Sequence, residues 1–185
     1  MNLYIRLFLM LLTTRFKSST SIFEDSLTNH YVLPNDLDPY GHMNNGRYFA
    51  VADLARIRKL LRSGLWQEMK RRKVLAFVAD ETMQFRKPLM PFQKYTVKTR
   101  LMGWDGDFFY IEQTFSRKDH ICALLLVRGR AITTDHAPVA PRELFGWVEQ
   151  GDVPEEKVNE VIRTWNKSTK LHWEKAVNRN LNNER

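Results

Sequence analysis

The sequence predicts an α+β domain: one long central helix wrapped by a curved antiparallel sheet of about five strands, with extra helices at the C-terminus. Three observations carry that expectation. Residues 45–63 hold an apolar stripe at helical spacing, wide enough to be covered on more than one side. Four strand-like runs follow it, separated by short turns, as a meander of antiparallel strands requires. At 185 residues, with 43% hydrophobic and 12% aromatic side chains, the chain can bury a real core within one domain.

Taken in order, residues 3–12 are almost wholly apolar but shorter than the ~20 residues that span a bilayer, and Arg6 interrupts them. They lack the charged flank and small-residue cleavage site of a signal peptide. The run reads as a helix docked on the domain or on a partner subunit. Arg15 and Lys17 behind it keep a membrane-surface anchor open as the alternative. Residues 22–33 suit an entering strand, with Ile22, Phe23, Tyr31, Val32 and Leu33 as its apolar members. In the central helix Tyr48, Val51, Leu54, Ile57 and Leu61 recur every three or four residues, and Gly64 stands where a C′ cap belongs.

Residues 65–73 carry Trp66 and the run Lys70-Arg71-Arg72-Lys73, read as a solvated turn that could also approach cofactor phosphates. Strands are expected over residues 74–85, 93–102, 107–116 and 121–134. The second alternates strictly, Tyr95, Val97, Thr99 and Leu101 facing one way; the third places Phe109, Ile111 and Phe115 on one face. Trp104-Asp105-Gly106-Asp107 is the expected hairpin turn between them. The apolar run in residues 121–134 predicts a strand buried on both faces. Beyond it lie a short helix near 142–149, a helix opening at Val153-Pro154-Glu155-Glu156, and a polar surface helix over 167–185 anchored by Leu171, Trp173 and Val177. The chain thus divides into an N-terminal apolar segment (1–20), the main domain (21–136) and a C-terminal helical extension with a polar tail (137–185).

Charge and rare residues narrow the function classes. A net charge of +8 favours anionic partners, but no K/R-rich run with interleaved aromatics is present, so nucleic acid is not expected. Cys122 is the single cysteine, which excludes an internal disulfide and a multi-cysteine zinc site and fits a reducing, cytoplasmic setting, with membrane association left open. His30, His120, His136 and His172 lack metal-ligand spacing, so no metal is expected.

The densest chemistry lies in Asp36-Leu37-Asp38-Pro39-Tyr40-Gly41-His42-Met43-Asn44-Asn45-Gly46-Arg47-Tyr48. Pro39 and Gly41 make its first half a turn, and Asn44 or Asn45 supplies the N-cap of the helix that follows. An oxygen docked there would meet free N–H groups and the positive end of the helix dipole. A carboxylate beside such a hole suits hydrolysis of an activated acyl group.

These residues also carry a resemblance. Asp38-Pro39-Tyr40-Gly41-His42-Met43-Asn44-Asn45, with Gly46-Arg47-Tyr48, Arg62-Ser63-Gly64-Leu65 and Leu101-Met102-Gly103-Trp104-Asp105, resembles the hotdog-fold acyl-CoA thioesterases of the 4-hydroxybenzoyl-CoA thioesterase type, in the branch related to thioesterase superfamily member 6. The likeness covers residues 22–134, and the N-terminal apolar run fits the same branch. It implies a hotdog fold, a homodimer or homotetramer with helices back to back, and an acyl-CoA site at the subunit interface. It maps the catalytic carboxylate onto Asp38 and an oxyanion-binding backbone N–H onto Asn45. Related plant acyl-carrier thioesterases carry a histidine at the position of His42; where this chain has Tyr40 they have an asparagine, whose role does not transfer. No cofactor is implied beyond coenzyme A itself, as part of substrate and product.

A thioester is electrophilic enough to need no serine triad: a carboxylate attacks it directly or deprotonates a water. Asp38 takes that role, with capping of the turn as its ordinary alternative. His42 orients water, protonates the thiolate, or ties the loop to the sheet. Tyr40, Gly41, Asn44, Arg47 and Tyr48 are candidate substrate contacts. Asp36 is expected to be exposed or turn-forming, and Asp53 with Arg56 to form a buried or interface ion pair. The rivals are a hydratase or dehydratase on the same fold, and a non-catalytic acyl-CoA or lipid-binding protein held to a membrane by residues 3–12.

Overall fold

The computed structural model describes residues 2–14, 19–149, 153–154 and 158–183. Arg15 and Lys17, expected beside the apolar run, lie outside these, as do Glu155, Glu156, Glu184 and Arg185. The order is α1 (Asn2–Thr14), β1 (Ser26–Tyr31), a 3-10 turn (Pro34–Asp36), α2 (Asn45–Arg62), α3 (Leu65–Arg71) and β2 (Val74–Phe85). Then follow β3 (Lys94–Trp104), β4 (Phe109–Arg117), β5 (His120–Thr133), β6 (Pro138–Val139), α4 (Pro141–Gly146) and α5 (Glu160–Asn183). The main strands pair antiparallel in the order β1-β3-β4-β5-β2, and β6 adds to β5.

The helix α2 lies on the sheet through the stripe its sequence carries. Tyr48, Val51, Ala52 and Ala55 pack with Tyr95, Val97, Phe115, Leu125 and Val127. Burial of these side chains at about 25 cal/mol per Å² holds the two layers together. Asn44 is the N-cap, its side chain accepting from the Gly46 N–H at 2.9 Å. Gly64, at φ 78°, ends the helix in the left-handed conformation that favours glycine. A second cluster fills the far end, where Ile22, Leu65, Met69, Trp104, Leu144 and Phe145 meet.

Several boundaries differ from expectation. The strand expected over residues 22–33 is only β1, because Ile22 and Phe23 leave the sheet to pack near Trp104 and Phe145. Trp104 is not in a turn: it is buried at the end of β3, and the turn begins at Asp105, whose Oδ1 accepts from the Phe108 N–H at 2.8 Å. Residues 65–71 form a helix, although all four cations of the Lys70–Lys73 run are exposed as expected. β5 is fully buried on one face only; Leu124, Leu126 and Ile132 on the other are half-buried.

The first half of α5 touches the outer face of the sheet, but not through the expected anchors. Leu171 and Trp173 are 50% and 72% exposed, while Ile162 is buried. Asn166 donates to the Tyr110 hydroxyl at 2.6 Å and accepts from Arg128 at 3.2 Å. At the N-terminus α1 packs against α2. Met10 is buried and Arg6 pairs with Asp36, while Tyr4, Ile5, Phe8 and Leu9 stay more than half exposed. No described helix is long and apolar enough to cross a membrane.

Gly129 on β5 pairs across the sheet with Phe109, whose ring lies over it. A methyl group at Gly129 would run into that ring, whereas at Gly106 it would meet nothing within 4 Å. In urea denaturation Gly129→Ala is expected to lose about 1–3 kcal/mol of stability, and Gly106→Ala to stay within about 0.5 kcal/mol of the parent.

Candidate active site

The loop before α2 is closed on itself by backbone bonds. Leu37 and Met43 form a β-bridge, the Asp38 N–H donates to His42 O at 3.0 Å, and the Gly41 N–H to Asp38 O at 3.0 Å. Gly41 holds φ 78°, completing the turn that Pro39 begins. The Asn44 N–H donates to Asp36 O and the Met43 N–H to Leu89 O, each at 2.8 Å. The loop is thereby fixed both to itself and to the segment between β2 and β3.

Asp38 and His42 face each other across this loop, carboxylate Oδ2 to imidazole Nδ1 at 3.3 Å. The Asp38 side chain is 12% exposed and that of His42 36%, so the pair is sheltered yet open to solvent. The other carboxylate oxygen of Asp38 accepts from the Tyr40 N–H at 2.9 Å. Tyr40 is 85% exposed and stacks beside His42, ring centroids 6.1 Å apart. Asn45 is the first helical residue, so its N–H has no acceptor within the helix. The structure therefore brings Asp38, Tyr40, Gly41, His42, Asn44 and Asn45 together at one helix entrance. Arg47 is half-buried next to them and donates its N–H to Asn44 O at 2.9 Å.

Tyr48 is a core residue instead of a substrate contact. It is 2% exposed, wedged between Phe85 and Phe115, and its hydroxyl accepts from the Leu89 N–H at 3.3 Å. Burial pushes its phenol up to about 12. Asp36 is likewise not exposed: it is 2% exposed, pairs with Arg6 from α1 and accepts from the Leu33 N–H at 2.9 Å. Its partner lies 30 residues upstream, so local turn chemistry gave no hint of it.

Asp53 and Arg56 do pair, but the Asp53 side chain is 58% exposed where a buried or interface pair is expected, and Arg56 belongs to a larger network. Arg56 Nη1 donates to Gln113 Oε1 at 2.6 Å; Gln113 Nε2 donates to Ala52 O at 2.9 Å and to Thr99 Oγ1 at 3.0 Å. Gln113 was legible in principle: it is the one polar residue in the inward series Phe109, Ile111, Gln113, Phe115.

An apolar cavity of about 820 Å³ does not include the loop. It lies between α1, α2, α3, α4 and the sheet, where β2 to β5 all contribute, and reaches towards α2's start only as far as Ala50. Lys70 lines it at the end near α3, so the cation run sits at the opposite end of α2 from Asp38. Among the described residues no group of His, Cys, Asp and Glu could hold a metal ion.

With this geometry in view, the comparisons agree on a class. The family model described as "Thioesterase-like superfamily" matches residues 32–148, and the chain belongs to that family. It is similar to "Protein THEM6" of Xenopus laevis, 34% identical over 169 residues that cover 88% of this chain and 82% of that one. Among solved structures it resembles the YbaW probable thioesterase from Escherichia coli, with TM-score 0.61 and 22% identity, covering 66% of this chain and 98% of the other. It also resembles the BH1999 gentisyl-coenzyme A thioesterase, with TM-score 0.57 and 19% identity, covering 62% and 94%. The fold is the hotdog fold, a curled antiparallel sheet with its helix inside.

One titration can be checked directly. His30 on β1 stacks on Tyr95, ring centroids 5.5 Å apart, with Nε2 2.9 Å from Thr28 Oγ1. Burial, and then the charges of Arg6 and Arg58, hold its pKa down to about 4 from 6.5. The unfolded chain therefore takes up this proton first as pH falls. Stability is complete above pH 6.5 and is lost between 6.5 and 4, by about 3 kcal/mol at most. NMR titration should place the His30 midpoint near 4, and His30→Gln should flatten that part of the stability–pH curve.

Proposed function

We propose that the protein hydrolyses an acyl-CoA thioester to the free acid and coenzyme A, with Asp38 as the reacting carboxylate. The observation that carries this reading is the pairing of Asp38 with His42 at 3.3 Å beside the first turn of α2. Membership of the thioesterase-like family and the likeness to a gentisyl-coenzyme A thioesterase support it.

In the reaction the thioester oxygen docks at the helix entrance, where the Asn45 N–H and the helix dipole stabilise the oxyanion. Asp38 either attacks the carbonyl carbon, giving an anhydride that water then opens, or takes a proton from the water that attacks. On both routes the C–S bond breaks, a C–O bond to water oxygen forms, and the thiolate leaves with a proton. His42 orients the carboxylate through Nδ1 and, when protonated, supplies the proton to the departing sulfur. Coenzyme A enters as substrate and leaves as product; no other cofactor has a part.

A second copy of the chain fits the exposed edge of β2, where Leu75, Phe77 and Val78 face outwards, consistent with a homodimer or a pair of dimers. The exposed apolar side chains of α1 favour one further reading, a lipid-bound acyl-CoA-binding protein without turnover. Thiol release from a panel of acyl-CoAs decides between them. In the hydrolase, Asp38→Asn lowers kcat by about 10² or more while the protein still folds. In the binder, neither parent nor variant releases thiol and both hold acyl-CoA equally well.

A further inference from the structure

The 820 Å³ cavity follows α2 from Ala50 to Leu60, about 15 Å at the helical rise of 1.5 Å per residue. Its near end is about 8 Å along the same helix from Asn45, by the same rise. Its walls are almost wholly apolar, and one of them is α1, through Leu3, Tyr4 and Leu7. That wall lies outside residues 32–148, so it is an addition to the part of the chain that matches the family.

Of the cavity's polar side chains, those on α2 are already committed and Lys70 on α3 is exposed to water. Arg56 is held by Gln113 and Asp53, and Lys59 donates to Glu24 O. A hydroxylated aromatic guest would lose its hydrogen bonds to water and find little in exchange, at a cost of roughly 1–3 kcal/mol per buried polar group. A hydrocarbon chain loses nothing and gains about 0.8 kcal/mol per buried methylene. The apolar lining along about 15 Å of α2 suits an extended hydrocarbon chain.

We propose that this cavity holds the hydrocarbon tail of a long, unbranched fatty acyl group, with α1 as its lid. The proposal rests on the thioesterase reading for the position of the thioester, and it selects fatty over aromatic acyl-CoA. Ile57 on α2 and Ala76 on β2 both line the cavity, half-buried, and are its length determinants. Trp66, on α3, lines the same space and reports on what fills it.

The test uses the full chain. Thiol release is compared for palmitoyl-, butyryl- and 4-hydroxybenzoyl-CoA in the parent, Ile57→Trp and Ala76→Phe, with melting curves to confirm folding. Each filling variant is expected to lower the palmitoyl-to-butyryl ratio of kcat/KM by at least about 10-fold; either one alone suffices if the other fails to fold. In parallel, palmitoyl-CoA is titrated into Asp38→Asn and into Asp38→Asn carrying Trp66→Phe. A fluorescence change in the first that is lost in the second places the chain beside Trp66.

Asp38-dependent turnover with an unchanged ratio in the folded variants overturns the cavity assignment and leaves the thioesterase reading standing. A Trp66 response abolished by the fillers, in a protein that hydrolyses no thioester, does the reverse. A parent that prefers 4-hydroxybenzoyl-CoA overturns the choice of a fatty chain.

Discussion

Gln113 is fully buried on β4, and both ends of its amide bind the helix above it. It donates to the carbonyl of Ala52 and accepts from the guanidinium of Arg56, while Thr99 on β3 shares the same Nε2. An apolar helix-on-sheet contact is forgiving: a slip of one turn exchanges one aliphatic contact for another. A buried amide is not forgiving, because each orphaned donor or acceptor costs roughly 1–3 kcal/mol and an unpaired buried guanidinium more. The Gln113 network therefore fixes where α2 sits along the sheet. With α2 fixed, Tyr48 meets the Leu89 N–H and Asn44 meets Asp36, and the N-terminus of the helix is held over the Asp38 turn.

Much of this was legible because it is local or periodic. The α2 stripe, the alternation in β3 and the Asp38–Asn45 phrase each lie within a dozen or so residues, and each has a physical reason that needs no distant partner. Reading failed where a distant partner decides. Asp36 is turn-forming, one of the two expectations for it, but its burial depends on Arg6 reaching over from α1. Tyr48 belongs to the apolar stripe and also to the reactive phrase, and the packing of Phe85 and Phe115 against it makes it a core residue. Asp105 and Gly106 give Trp104 the local signature of a turn; its burial against Phe23 and Phe145 depends on segments some 80 residues before it and 40 after it.

The same division separates the reactive loop from the cavity. The loop is a short-range object: its carboxylate, imidazole and capping amide are within eight residues of one another, and a turn and a cap suffice to assemble them. The cavity is a long-range object, walled by four helices and by β2 to β5, which meet only in the folded chain. Chemistry of this kind can thus be inherited as a phrase, while the choice of guest is dispersed over the molecule and free to vary.

Along its outer edge β2 has no partner strand among the described residues, and Leu75, Phe77 and Val78 there are 58%, 44% and 40% exposed. Edge strands ordinarily carry charges, prolines or bulges that deter pairing. Here the bulge and the first acid, Asp80, come only after Val78, so the first half of the edge is undefended. Such an edge ties the folding equilibrium to the number of chains in solution. If another chain covers it, mass action makes the folded form more stable as the protein becomes more concentrated. If none does, Leu75, Phe77 and Val78 mark the place where aggregation begins, and the same rise in concentration that protects a paired edge then works against the folded chain.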